Sequence, residues 1–245
     1  MKNFTCISFI KKVKENKNFD HFFKLEILKS DKKIKVDCDV LLVPDKFLKN
    51  VEQGRKLLFK LFEIKKRSYF LIAIEGTKEY GKNKIYLELK KEKLPIVDIF
   101  FPYLEGKDFM HSANSGVNHV LLNVLHRNKI AIGINLKELI GNLKKKNYAY
   151  LSKIIQNIRW ARKKKVNFCV FINAKKSKDI PDALDIFHFL LAIGFDTKQA
   201  KNALVFGYIK RELNKEIFKH KIKDVYIYRK DEKIKLIDYL KAIEA

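Results

Sequence analysis

The chain has 245 residues, 47% of them hydrophobic, which is enough to bury the core of one large domain or two small ones. Its 53 Lys and Arg against 28 Asp and Glu leave a formal charge of +25, which favours polyanionic partners such as nucleic acid. Cys6, Cys38 and Cys169 form no CxxC pair and no segment approaches about 18 consecutive apolar residues, so we expect no thiolate zinc site and no membrane contact, in a cytoplasmic protein.

The elements of the first third are weakly marked. FKLEILKS (23–30) and DCDVLLVPD (37–45) resemble strands, and a helix is predicted over 47–64. From residue 68 onward, apolar runs alternate with helical patterns. The predicted strands are SYFLIAIEG (68–76), VDIFFP (97–102), IAIGINL (130–136) and NFCVFIN (167–173). Helices are predicted from about Ser115, through 150–165, and from about Pro181.

This alternation predicts parallel βα units, whose strands are buried on both faces and therefore read as continuous apolar runs. The length matches the roughly 250 residues of a (β/α)8 barrel, which we favour, and a doubly wound open sheet is the alternative. No linker divides the chain, so residues 1–245 are predicted to form a single domain. Residues 68–205 carry this prediction, and residues 1–67 either complete the barrel or lie outside it.

The predicted helix after residue 115 opens with the small polar turn SGVNH. Val117, Val120, Leu121 and Val124 have the spacing of a buried stripe, which places His119 and His126 nearly opposite it, facing outward. Ser115 is a candidate N-cap and Gly116 allows a tight turn. The turn is therefore interpreted as a helix start rather than a catalytic site.

Catalytic chemistry finds little support in the sequence. Asp108, His111 and His119 could converge as a weak metal site, but no HxH or HExxH spacing occurs. No glycine loop of the nucleotide-binding type follows a strand, and Cys169 lies in an apolar run where a thiol is usually inert. We therefore expect no cofactor or metal bound by the protein and no catalytic residue.

The lysine-rich loops after strands are the best candidate for a binding surface. In a βα fold these loops all emerge on one face, where they could contact a phosphate backbone. The candidate RNA-binding residues are Lys78, Lys82, Lys84, Lys144, Lys145, Lys146, Lys175, Lys176 and Lys178. The clusters 65–67 and 162–165 precede strands and are predicted on the opposite face, where the helix dipole already favours cations.

The one tryptophan is a second candidate contact. Leu151, Ile154, Ile155 and Ile158 form the predicted core stripe of their helix, which puts Trp160 on the opposite side, near Lys153 and Lys164. An outward indole beside cations suggests base stacking or a protein interface. Burial beneath the C-terminal segment is the equal alternative.

In their order, the segments SYFLIAIEG, VDIFFP, SGVNHVL, NKIAIGINLKELI, IRWARKKKVNFCVFINA and ALDIFHFLLAIGF resemble the ribonuclease P protein component 3 family. The resemblance covers about residues 68–205. Its most specific part is Ser115, Gly116, Asn118 and His119, leading into a helix and then a strand of the AIGINL type.

The resemblance implies a βα barrel without a metal site that works as a noncatalytic RNA-binding subunit of ribonuclease P. Its implied partners are ribonuclease P RNA, ribonuclease P protein component 2 and the other subunits, with precursor tRNA bound indirectly. The RNA would remove the 5′ leader of precursor tRNA, using Mg²⁺ bound to the RNA. Ser115, Asn118 and His119 would then fix the loop or contact a partner. A metal-dependent phosphoesterase on the same barrel and a general RNA-binding protein are the alternatives.

Overall fold

The computed structural model describes residues 5–8, 21–30, 34, 36, 38–105, 108, 114–172, 181–220, 226–229 and 232–235. In chain order, its strands are β1 (Thr5–Ser8), β2 (His21–Ile27), β3 (Val40–Val43), β4 (Leu71–Glu75), β5 (Lys90–Lys91), β6 (Leu94–Pro95), β7 (Ile99–Phe101), β8 (Ala131–Asn135), β9 (Phe168–Phe171), β10 (Tyr226–Arg229) and β11 (Glu232–Lys235). Its α-helices are α1 (Val51–Ser68), α2 (Tyr80–Glu88), α3 (His119–Arg127), α4 (Leu136–Lys144), α5 (Tyr148–Lys164), α6 (Ala183–Ala192) and α7 (Thr197–His220).

One parallel sheet organises the molecule, with the strand order β1-β2-β3-β4-β7-β8-β9. Its strands run in the same direction at every hydrogen-bonded pair. The three N-terminal strands belong to this sheet, so the weakly marked first third contributes to it. Some Cα atoms of β1 and β9 lie within 8 Å of each other, although the described residues contain no ladder between these two strands. The sheet therefore curls toward a barrel.

Both faces of the sheet are covered by helices. Strand residues such as Leu41, Ile72 and Ile132 join a large core with side chains from α1 to α6. The alternate residues form a second cluster on the other face, packed against Phe206 and Tyr208 of α7. Helices on both faces agree with the doubly wound alternative. However, the strand order increases continuously across this sheet, whereas a doubly wound sheet has a point at which the order reverses.

The apolar runs predicted as strands are confirmed. β4, β7, β8 and β9 lie within the four predicted segments, and β2 and β3 lie within or overlap the two N-terminal ones. Every residue of β3 and β9 is buried, as expected for strands covered on both faces. The predicted helices also occur as α1, α3, α5 and α6, with boundaries shifted by a few residues.

Three helices were not predicted. The segment 76–84, interpreted as a loop, enters α2 at Tyr80, because the apolar residues of α2 do not share one face and leave no helical stripe. α4 begins directly after β8, where we expected a loop, and α7 follows α6 after a short turn. No helix among the described residues has both the length and the hydropathy to cross a membrane.

Candidate nucleic-acid interface

The turn before α3 is a packed structural element. Asn118 caps α3, with its side chain accepting a hydrogen bond from the backbone N–H of Leu121 at 2.9 Å. The prediction of Ser115 as N-cap was therefore wrong. Gly116 has φ +71°, and a Cβ on it would lie 2.5 Å from the carbonyl oxygen of Tyr103. Only glycine fits this approach without moving the backbone.

Ser115 is fully buried and joins the turn to α5. Its Oγ accepts from Gln156 Nε2 at 3.0 Å, and its carbonyl oxygen accepts from Asn157 Nδ2 at 2.9 Å. These contacts hold the turn between α5 and the segment after β7. The buried polar groups of the turn are thus used in contacts with α5, which agrees with a structural role for the turn.

His119 is exposed at the first turn of α3, as predicted. His126 is half-buried, and its Nδ1 lies 3.3 Å from the carbonyl oxygen of Lys165. Val117, Leu121 and Val124 are buried, but Val120 is 37% exposed, so its assignment to the core was wrong. The buried stripe of α3 instead includes Leu122 and Leu125, because Val117, which helped to define the predicted stripe, precedes the helix.

Asp108 contacts both the start of this turn and α5. Its Oδ1 accepts from the backbone N–H of Asn114 at 3.0 Å and lies 3.3 Å from Nζ of the buried Lys153. The hydrogen bond from Asn114, assisted by the Lys153 ammonium, lowers the pKa of the Asp108 carboxyl. His111 lies outside the described residues. Those that are described contain no group of three or more His, Cys, Asp or Glu side chains placed to hold a metal ion.

The first group of candidate lysines lies partly in the loop after β4 and partly in α2. Lys78 is exposed, with its ammonium 5.7 Å from the centroid of the Tyr103 ring. Lys82 pairs with Glu79 at 2.7 Å and also donates to the carbonyl oxygen of Lys49. Lys84 is exposed in the second turn of α2, so it lies on a helix and not in the loop in which it was placed.

The second group forms a compact basic turn between α4 and α5. Lys144 ends α4, Lys145 is its C-cap, and Lys146 has φ +57°. The side chains of all three are exposed. Because α5 must return to the amino end of β9, its first residues lie at the carboxyl edge of the sheet, as predicted. The third group, Lys175, Lys176 and Lys178, lies outside the described residues.

A cavity of about 400 Å³ opens at the carboxyl ends of the strands, and the charged side chains described in its lining are acidic. Asp45, Glu75, Glu105 and Glu138 line it, together with aromatic side chains that include Phe101 and Phe171. The rings of Phe101 and Phe171 have centroids 4.8 Å apart. None of the described residues that line it is a lysine. The face that carries the candidate lysines is therefore basic at its rim and acidic at its centre.

The charges in this cavity affect one another. Burial raises the pKa of Glu75, and the negative charges of Asp45 and Glu138 act in the same direction, although the backbone N–H of Asp45 donates to Glu75 at 3.3 Å. Burial also raises the pKa of Tyr150, which is close to Glu138. A phosphate entering the cavity would meet these carboxylates. The centre of the cavity is thus an unfavourable place for a phosphate.

A buried ionic cluster lies at the opposite, amino end of the sheet. Asp98, just before β7, accepts from Lys65 Nζ at 2.6 Å and from the backbone N–H of Ile72 at 2.9 Å. Its other oxygen accepts from Asn214 Nδ2 at 3.3 Å and lies 3.9 Å from Lys210 Nζ. Burial lowers the pKa of both lysines. The cluster, which the sequence analysis missed, joins α1 and α7 to the sheet.

Trp160 is half-buried and packs against the main core, so the prediction that its ring lies outside was wrong. Lys153, on the same side of α5, is buried and donates to the carbonyl oxygen of Leu104 at 2.9 Å. Ile154 and Ile158 are buried as predicted, but Ile155 is half-buried. Lys164 remains exposed beyond this packed region.

A search of solved structures finds a chain in the cryo-EM structure of archaeal Ribonuclease P with mature tRNA. The two chains superpose with a TM-score of 0.62 and 18% sequence identity, over 89% of this chain and 94% of that chain. The likeness shows a shared fold along nearly the full length of both. No family model and no curated protein matches the sequence.

Proposed function

We propose that this chain is an RNA-binding protein subunit of ribonuclease P, of the component 3 type, and supports RNA-catalysed removal of the 5′ leader from precursor tRNA. The observation that carries the proposal is the shared fold over 89% of the chain with a protein of archaeal Ribonuclease P. The order of the segments from SYFLIAIEG to ALDIFHFLLAIGF, which resembles that family, points to the same conclusion independently of the fold.

In this proposal the protein supplies binding energy and the RNA supplies the chemistry. A formal charge of +25 neutralises phosphates and releases counterions when RNA binds. The exposed lysines 144–146 contact phosphates at the rim of the sheet, and the acidic cavity keeps the backbone out of the centre. We infer that the curled sheet closes as a barrel, with α7 against its inner face. Ribonuclease P protein component 2 and the other subunits bind elsewhere on the surface, and Mg²⁺ is bound by the RNA.

Reconstitution of the holoenzyme tests this function. Ribonuclease P RNA and the remaining protein subunits of the same source are assembled with and without this chain, and the initial rate of precursor tRNA cleavage is measured over a range of Mg²⁺ concentrations. Omitting the chain should lower the rate most at low Mg²⁺, because added cations partly replace the neutralising charge of the protein. An unrelated protein of similar net charge is the control for unspecific charge effects. Equal rates with and without the chain would rule out the proposed function.

A general RNA-binding protein would give a different result in the same assembly. It would bind ribonuclease P RNA and an unrelated structured RNA with similar affinity at the same salt concentration, and it would not change the cleavage rate beyond the effect of the basic control protein. Competition by an excess of unrelated RNA in the reconstitution therefore separates the two functions.

A further inference from the structure

Tyr148 is an exposed aromatic side chain next to the basic turn. It is the first residue of α5 and is 66% exposed, the highest value among the large hydrophobic side chains exposed in the described residues. Lysines 144–146 precede it directly, and every side chain from 144 to 149 is exposed. Packing does not explain a tyrosine ring at this position, because other residues form the buried face of the helix.

The turn that carries Tyr148 is fixed by its own hydrogen bonds. The backbone N–H of Lys146 donates to the carbonyl oxygen of Leu143 at 2.9 Å, and that of Asn147 donates to the carbonyl oxygen of Asn142 at 2.9 Å. The Asn147 side chain donates to Asn142 Oδ1 at 2.8 Å and accepts from the backbone N–H of Tyr150 at 3.2 Å. The backbone that carries the three lysines and Tyr148 is therefore held in one local arrangement, which reduces the backbone entropy lost on binding.

The charged residues that follow Glu138 in this part of the sequence are all basic. No Asp or Glu occurs between Glu138 and Asp179, while Lys and Arg recur throughout that segment. Glu138 itself interacts with Tyr150 and lines the cavity, so it belongs to the acidic centre of the face. The lysines beside Tyr148 consequently have no neighbouring carboxylate along the chain, and a phosphate backbone can supply the missing negative charge.

We propose that Tyr148 stacks on an unpaired base of single-stranded RNA while lysines 144–146 contact the flanking phosphates. This inference deepens the proposed function by naming the kind of RNA that the rim binds. Aromatic rings bind exposed bases by stacking, and neighbouring cations follow the backbone of the same strand. In a duplex the bases are already stacked on each other, so the ring can reach only loops, bulges and ends.

The surroundings of Tyr148 favour RNA over a protein partner. In α4 and α5, which the structure describes completely, Tyr148 is the one large hydrophobic side chain that is exposed. A protein interface needs a desolvated apolar centre surrounded by polar residues, and the centre of such interfaces is depleted in lysine. A single ring among three lysines lacks that centre, whereas base stacking needs only one ring face.

Binding of a fluorescent single-stranded RNA of about 12 nucleotides, measured by anisotropy over a range of salt concentrations, tests the inference. Tyr148→Ala should weaken binding about fivefold or more, and Tyr148→Phe, which keeps the ring, should bind like the wild type. Tyr148→Leu keeps apolar area without an aromatic face and should lose about as much as Tyr148→Ala. The slope of log affinity against log salt should not change in any of the three, because tyrosine releases no counterion.

A duplex RNA of the same length provides the matched probe, and on it Tyr148→Ala should bind as the wild type does. The stacking site is overturned if Tyr148→Ala leaves single-strand affinity unchanged, if Tyr148→Leu restores it, or if duplex binding falls equally. Thermal unfolding verifies that each variant folds. If the holoenzyme needs this chain but Tyr148→Ala binds normally, the stacking site fails and the proposed function stands. If Tyr148→Ala is defective but the holoenzyme does not need the chain, the site stands on a general RNA-binding protein.

Discussion

Removing the charge of Asp98 should strongly destabilise the protein. Asp98 is fully buried, and it is the carboxylate that faces the ammonium groups of Lys65 and Lys210 at 2.6 and 3.9 Å. Asp98→Asn preserves the shape of the side chain, so it creates almost no cavity. It leaves two buried ammonium groups without a counter-charge. Losing one partner of a buried ion pair costs about 3–5 kcal/mol, and we expect the free energy of unfolding to fall by that amount.

Lys65→Met should cost less than Asp98→Asn. It removes one of the two ammonium groups and leaves Asp98 paired with Lys210 and hydrogen-bonded by Asn214 and the N–H of Ile72. One buried carboxylate and one buried ammonium group then remain. Urea denaturation followed by circular dichroism at pH about 7 measures both losses without changing the ionic strength. A loss below about 1 kcal/mol in Asp98→Asn, or a larger loss in Lys65→Met, would refute this account of the cluster.

The same cluster predicts a pH dependence. Burial lowers the pKa of Lys65 and Lys210 below the ordinary lysine value of about 10.4. Between the lowered and the ordinary pKa, the unfolded chain binds more protons than the folded one, so stability attributable to these groups rises with pH in that window. Asp98→Asn removes the charge that opposes the effect of burial, so it should lower both pKa values further and extend this rise to lower pH. A fall in stability through the same alkaline window would contradict the lowered pKa of the two lysines.

Three further predictions concern the turn, the rim and the chemistry. Gly116→Ala should cost at least about 2 kcal/mol in thermal or urea unfolding, because its φ is +71° and its Cβ would meet the Tyr103 backbone; Gly141→Ala, with nothing within 4 Å, should gain about 0.5–1 kcal/mol. Alanine at lysines 144–146 should weaken RNA binding and flatten its salt dependence. Lysines 163–165 are the matched control, because they are equally exposed and the φ of the last one, +53°, is close to the +57° of Lys146. Alanine at these three positions should change the affinity and its salt dependence less. Equal effects would contradict specific RNA binding by lysines 144–146. The purified chain without RNA should not cleave precursor tRNA in Mg²⁺, and cleavage that resists nuclease treatment of the preparation would contradict a noncatalytic role.

Residues of opposite character explain why the buried face of α3 was predicted in part and that of α5 was displaced. Leu121 and Val124 are apolar and buried, and the hydrophobic period alone locates them. On α5, Lys153 and Asn157 are also buried, since they donate to the carbonyl oxygens of Leu104 and Ser115. A polar residue gives no hydrophobic signal. The predicted stripe was therefore displaced from the true buried face, and Trp160 was placed outside.

The missing helices have a related cause. α7 contributes Ala203 and Leu204 to one core cluster and Phe206 to the other, and it buries Lys210 and Asn214 in the ionic cluster. Its buried residues consequently cover more than one side and include polar ones, so no narrow apolar stripe marks the helix. α2 buries Asn83, which accepts from the backbone N–H of Thr77 at 2.8 Å and thereby closes the preceding turn. The burial of such polar positions can be recognised only from their neighbours in the tertiary structure.

The sequence by itself determined the parallel strands, most of their helices and the basic character of the surface. These features depend on residues close together in the chain, because period and charge are local properties. Only the tertiary structure decided where the charges meet. Asp45, Glu75 and Glu138 come from separate βα units and meet in one cavity, while Lys65 and Lys210 meet Asp98 at the other end. The physical reason is that strand order and the packing of α7 set these contacts, and neither leaves a pattern within any single segment.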